Sequence, residues 1–117
     1  MLDHIGLRTA QMDTLVSFYK AALATLGYGV LMEFPGAVGF GRETPDFCIG
    51  EADKASNIHL AFVAKERAQV DAFYAAALAQ GGADNGPPGE RDYAPNYYAA
   101  FVIDPDGNNL EIVCHSA

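Results

Sequence analysis

The chain of 117 residues has no tryptophan, two cysteines, and seven basic residues against fifteen acidic ones. Its formal charge of -8 disfavours a nucleic-acid or anionic-membrane partner, because the long-range field would repel phosphate. No apolar run approaches the roughly 20 residues of a membrane-spanning helix, and no basic region followed by an apolar run marks a signal peptide. We therefore expect a cytoplasmic protein with neither a nucleic-acid nor a membrane partner.

The two cysteines favour reduced thiols over a disulfide. Cys48 and Cys114 each lie inside an apolar, strand-like run. Two such cysteines in a chain without a secretion signal are more often buried thiols than a cross-link. Half of the residues are hydrophobic, and the length is close to the commonest domain size, so we predict one domain over residues 1–117.

An internal repeat is present at an offset of 55 residues. Residues 18–27 and 73–82 are identical at seven of ten positions, and the same offset carries His4 onto His59. Alanine-rich helices match easily by chance, but an upstream histidine that agrees at the same offset makes chance a poor explanation. The repeat predicts two copies of one structural unit, with the two histidines at equivalent positions.

Each copy has the pattern of a strand, a helix and about three further strands. The first helical stripe stops at Gly27 and the second at Gly81-Gly82, both suitable helix terminators. Short apolar runs separated by Pro and Gly then follow in both halves. In the second half we predict a Gly- and Pro-rich loop at residues 84–90 and a tight turn at Asp104–Gly107. We predict an α+β fold of two tandem βαβββ modules, about residues 1–52 and 56–117.

Strand alternation separates polar from apolar side chains. If the apolar residues of each strand pack on the helices, His4, His59 and Glu111 all lie on the opposite face. Two helices can cover only one face of a curved sheet. The other face must then meet solvent, a partner or a ligand, and it carries the polar residues.

These features together resemble the vicinal oxygen chelate superfamily of glyoxalases, bleomycin-resistance proteins, fosfomycin-resistance transferases and extradiol dioxygenases. The resemblance covers essentially the whole chain and rests on the order and spacing of several short motifs. They are Asp3-His4-Ile5-Gly6-Leu7, Phe18-Tyr19, Gly27-Tyr28, His59-Leu60-Ala61-Phe62 and the run from Asp104-Pro105-Asp106-Gly107 to Leu110-Glu111.

The resemblance implies a cup-shaped, curved mixed sheet with the helices on its convex face and a divalent metal ion inside. It implies that His4, His59 and Glu111 are the metal ligands and that Glu111 is also catalytic. Two imidazoles and one carboxylate suit a first-row ion such as Fe, Mn, Zn, Ni or Co with positions open to substrate.

One position departs from the glyoxalase pattern. Cys48 falls on the pseudo-symmetric counterpart of Glu111, where glyoxalase-like members carry a carboxylate or an amide, which argues against a two-base isomerase mechanism. The expected substrate-binding residues are Arg8, Cys48, Arg91, Tyr93 and Tyr97. Four of the five have a plainer alternative: a core or pocket-wall position for Cys48, a salt bridge at the strand end for Arg8 and ordinary packing for the two tyrosines.

Two functions therefore fit the sequence. The first is a metal-dependent lyase-like or dioxygenase-like enzyme that binds a small substrate through vicinal oxygens. The second is a metal-free protein of the bleomycin-resistance type that sequesters a small molecule. The resemblance also implies a homodimer, and it leaves open whether His4 and His59 of one chain share a site.

Overall fold

A computed structural model describes residues 1–117 and contains two helices and nine strands. The first module consists of β1 (Ile5–Thr9), α1 (Met12–Ala24), β2 (Gly29–Phe34), β3 (Ala37–Gly41) and β4 (Pro45–Glu51). The second consists of β5 (His59–Val63), α2 (Arg67–Ala79), β6 (Ala83–Asp84), β7 (Gly89–Glu90), β8 (Tyr98–Ile103) and β9 (Asn109–Cys114).

Each module forms its own open mixed sheet. The strand order is β1-β4-β3-β2 in the first and β5-β9-β8-β6 in the second, where β7 also pairs with β8. In both modules the first strand runs parallel to the last strand, and the other pairings are antiparallel. The predicted α+β fold of two βαβββ modules is confirmed, with the sheet divided between the modules.

The hydrophobic core joins the two modules. It contains 21 buried residues, drawn from both helices and from the helix-facing sides of both sheets. Phe47 of β4 meets Phe62 of β5 edge to face, with ring centroids 5.4 Å apart. Neither 13-residue helix is long and apolar enough to cross a membrane.

The second module differs from the prediction at residues 84–90, which the sequence predicts to be a loop. There the chain forms the two-residue strands β6 and β7, both paired with β8. Pro87 and Pro88 lie between them and cannot donate a backbone hydrogen bond, so the edge strand is interrupted instead of continuous.

A buried set of polar groups, the polar junction, connects α1 to the turn before β9. Asp104, only 3% exposed, accepts hydrogen bonds from the Tyr19 hydroxyl at 2.6 Å and from the Asn108 side chain at 2.8 Å. Asn108 Oδ1 in turn accepts from the backbone N–H of Ile58 at 3.0 Å. The Asp104–Gly107 segment forms the predicted turn, with Gly107 at a φ of 92°, and it also links the modules.

Replacing Tyr19 by Phe should destabilise the protein by about 1–3 kcal/mol, because Asp104 would lose one of its buried donors. Burial, followed by the Asp104 charge, raises the pKa of Tyr19, so the hydroxyl is a stable donor. Tyr74, its counterpart in the repeat, donates to Asp84 at the exposed surface. Tyr74→Phe is the matched control and should cost less than about 0.5 kcal/mol. Urea unfolding measures both, and equal losses would show that the Tyr19–Asp104 hydrogen bond contributes no more than an exposed one.

Candidate metal centre

His59 and Glu111 form the centre of the candidate site. His59 begins β5 and Glu111 lies in the middle of β9, and these two strands pair in parallel with Ala61 opposite Glu111. Both side chains point away from the face that packs on α2, as strand alternation predicts. His59 Nε2 lies 3.0 Å from Glu111 Oε1.

A backbone hydrogen bond determines which nitrogen of His59 faces the carboxylate. His59 Nδ1 lies 2.9 Å from the carbonyl oxygen of Asn109. Because a carbonyl oxygen only accepts, Nδ1 carries the proton and the lone pair of a neutral imidazole is on Nε2. A histidine that binds a metal is typically oriented in this way by a second hydrogen bond.

The second carboxylate oxygen of Glu111, the one that does not face His59, is bound by a tyrosine. The Glu111 side chain is buried, with the residue 4% exposed, and its Oε2 accepts a short hydrogen bond from the Tyr97 hydroxyl. That hydrogen bond, together with partial desolvation, raises the pKa of Tyr97 to about 12. Tyr97 is therefore a permanent donor near neutral pH, and it leaves Oε1 free to face His59.

The facing atoms require a positive charge between them. An ionised carboxylate oxygen and the Nε2 of a neutral imidazole are both acceptors, so only a proton or a metal cation makes their contact favourable. A divalent ion such as Zn²⁺ binds imidazole nitrogen and carboxylate oxygen at about 2.0–2.2 Å, so two such atoms up to about 4 Å apart can bind the same ion. The 3.0 Å separation of His59 and Glu111 fits either occupant.

His4 and Cys48 lie together on the first module. His4 immediately precedes β1, has a side chain 62% exposed, and places Nδ1 3.2 Å from Asp3 Oδ1. Cys48 pairs with Gly6 as Glu111 pairs with Ala61, so the predicted correspondence between Cys48 and Glu111 matches the register. Both His4 and Cys48 line a cleft of about 370 Å³.

The predicted ligands do not all meet within one chain. No three histidine, cysteine, aspartate or glutamate side chains of the chain are grouped closely enough to hold a metal ion together. His59 and Glu111 are paired on the second module, whereas His4 is on the first. Within one chain, His4 therefore does not complete a three-ligand group with His59 and Glu111.

The other expected substrate-binding residues are spread over both modules. Tyr97 and Tyr93 pack edge to face with ring centroids 5.1 Å apart, and Tyr93 is 69% exposed. Arg91 places its guanidinium over the Phe101 ring. Arg8 lies on the exposed face of β1, where its backbone N–H donates to Ser56.

Three site residues were missed by the sequence interpretation. Phe101 pairs with Glu111 in the register and stacks beside His59, with ring centroids 6.3 Å apart. Strand alternation could have identified it, because it lies two strands from His59 on the same face. Asn109 acts through its backbone, which no side-chain pattern reveals. His115, whose ring packs edge to face on Tyr97, follows the last strand and has no pattern of its own.

This architecture matches a known family. The sequence model of the Glyoxalase/Bleomycin resistance protein/Dioxygenase superfamily matches residues 1–112. The chain belongs to this superfamily.

Individual members of the superfamily agree with the match. The chain is 32% identical to the metallothiol transferase FosB of Shouchella clausii, over 95% of this chain and 77% of that protein. A crystal structure of a glyoxalase/bleomycin resistance protein from Albidiferax ferrireducens is 30% identical, with a TM-score of 0.86 over 97% of this chain and 98% of that one. A superfamily enzyme from Burkholderia phytofirmans, 19% identical with a TM-score of 0.77 over 97% of this chain and 98% of that one, shares the fold.

Tyr97 should keep its proton at a pH where an ordinary tyrosine, with a pKa of about 10, has ionised. Because its pKa is raised in the folded state, the Tyr97–Glu111 bond stabilises the fold fully below about pH 10. That stabilisation is lost as the pH rises toward about 12. NMR of tyrosine labelled with ¹³C at Cζ, with Tyr97→Phe to assign the resonance, follows the titration.

The matched variant for this titration is Glu111→Gln, which removes the carboxylate and keeps the shape. It should bring the pKa of Tyr97 down, because the bond to Glu111 is the largest cause of the increase. An unchanged Tyr97 titration in Glu111→Gln would contradict the assigned bond.

Proposed function

We propose that this protein is a divalent-metal-dependent enzyme acting on a small substrate that binds the metal through vicinal oxygens, with glyoxalase-like or dioxygenase-like chemistry. The observation that carries the proposal is the 3.0 Å contact between His59 Nε2 and the buried Glu111 Oε1. Each group is oriented from behind, His59 by the Asn109 carbonyl and Glu111 by Tyr97. Such outer contacts are typical of metal ligands.

When bound, the metal would act as a Lewis acid that polarises a substrate oxygen. Neighbouring residues of the chain orient the two proposed metal ligands. Asn109 keeps the proton of His59 on Nδ1, so that Nε2 offers a lone pair. Tyr97 occupies one oxygen of Glu111 and so favours binding through the other oxygen alone.

The third ligand in this proposal is His4 of a second copy of the chain. His4 is exposed and does not form a metal-holding group with His59 and Glu111 of its own chain. Leu2, near His4, is 84% exposed, and Val63, on the same strand as His59, is 61% exposed. Exposed apolar side chains flanking both halves of the site favour association of two chains there.

The relative named a metallothiol transferase supports the metal-dependent part of the proposal. A metal-free binding protein is the second candidate, and one observation favours it. A protonated His59 would complete an ion pair with Glu111 without any metal. Metal binding by the purified protein separates the two functions.

The protein should bind one divalent ion per site. Loss of either paired ligand should weaken binding more than about 100-fold, which exceeds the usual effect of removing a residue that only orients a ligand. Calorimetric titration with Zn²⁺ and Mn²⁺ on His59→Ala and Glu111→Gln measures this. His115→Ala is the control, because His115 packs on Tyr97 without contacting the carboxylate and should change affinity less. Binding that survives both ligand substitutions would refute the site.

Mixing two variants that each fail to bind metal tests whether the site is built from two chains. If His4 of one chain joins His59 and Glu111 of another, His4→Ala and His59→Ala subunits refolded together will form mixed dimers with one intact site. Such mixtures should recover a fraction of the metal binding that neither variant shows alone. No recovery in a mixture shown to contain mixed dimers would mean that each site uses one chain.

A further inference from the structure

Arg91 is held in a fixed position by the loop before it. Its Nη2 donates to the Pro87 carbonyl at 2.8 Å, and its Nη1 lies 3.4 Å from the Glu90 carbonyl. A Cβ at Gly86 would lie 3.3 Å from Nη2, and one at Gly89 would lie 3.1 Å from Nη1. A side chain at either position would press on the guanidinium, so the two glycines leave space for it.

The charge of Arg91 has no carboxylate partner. The adjacent Glu90 is paired with Arg67, with 3.0 Å between the charged atoms. Asp92 borders the same cleft as Arg91 but forms no ion pair with it. Two backbone carbonyls account for part of the five N–H donors of the guanidinium, so donors and a full positive charge are left for something else.

Arg91 lies at the edge of the candidate metal centre. Its guanidinium carbon is 5.5 Å from the centroid of Phe101, whose ring stacks beside His59 with an angle of 25° between the planes. Arg91 and Tyr97 border one cleft of about 520 Å³, and Tyr97 donates to Glu111. Arg91 and the tyrosine that binds Glu111 therefore face the same cleft.

We propose that Arg91 is the receptor for an oxyanion of the substrate, so that the substrate is a small molecule carrying a carboxylate or a phosphoryl group besides its vicinal oxygens. That the bound molecule is a substrate rests on the proposed function, whereas the anion site itself does not. An acidic protein repels small anions at long range, so an anionic substrate needs a local cation. A fixed guanidinium fork is the side chain best suited to carboxylate and phosphoryl oxygens.

The test uses the whole protein, freed of metal by a chelator, with inorganic phosphate and acetate as probes at constant ionic strength. Amide NMR shifts of Gly86, Gly89 and Phe101 should follow saturable binding of at least one anion. Arg91→Gln should weaken this binding at least about tenfold, since hydrogen bonds to charged groups are lost. Arg91→Lys should give an intermediate affinity, because the charge stays and the fork is lost. Whichever anion binds more tightly identifies the substrate's group.

Arg42→Gln is the matched control. Arg42 also lies over an aromatic ring, at 5.3 Å from the centroid of Tyr28, and its Nε donates to the Leu26 carbonyl at 3.0 Å, far from Glu111 in the sequence and on the other module. It should leave anion binding unchanged. Equal affinity in Arg91→Gln and the unaltered protein, or an equal loss in Arg42→Gln, would overturn the proposal. Because no metal is present, failure of metal binding would contradict the proposed function and leave this result standing.

Discussion

The candidate metal centre depends on the hydrogen bonds that the buried carboxylate of Asp104 accepts. This carboxylate accepts from Tyr19 of the first module, from the side chain of Asn108, and from the backbone N–H groups of Asp106 and Asn108. Asn108 also binds the N–H of Ile58, the residue just before β5. The junction therefore determines how β5 pairs with β9, and that pairing places His59 beside Glu111.

Glu111 is 4% exposed in a chain of net charge -8, so the negative charge of its buried carboxylate must be balanced by hydrogen-bond donors or a cation close by. Tyr97 supplies a neutral donor to one oxygen of Glu111, and the cation at the other oxygen is a protonated His59 or a metal. The surroundings of Glu111 therefore favour a positive charge at Oε1. Desolvation strengthens this preference, because an unpaired buried carboxylate would be costly.

The repeat and strand alternation predicted much of this structure. The offset of 55 residues identified the two modules, and the parity of β5 and β9 placed His59 and Glu111 on one face. An internal repeat says that His4 and His59 are equivalent, but it carries no distance between them, so their separation could not be predicted. The role of Tyr97 was beyond the sequence for a similar reason: it depends on where a residue just outside β8 points its hydroxyl.

The two modules differ at the position of Glu111. Gly6 pairs with Cys48 in the first, and its repeat counterpart Ala61 pairs with Glu111 in the second. Cys48 therefore lies where symmetry would place a second carboxylate, and it lines an open cleft with His4 instead of being held by a tyrosine. In the proposed centre, the module that supplies His4 would therefore add an imidazole and no second carboxylate. The difference between Cys48 and Glu111 thus favours a centre with one carboxylate ligand over one with two.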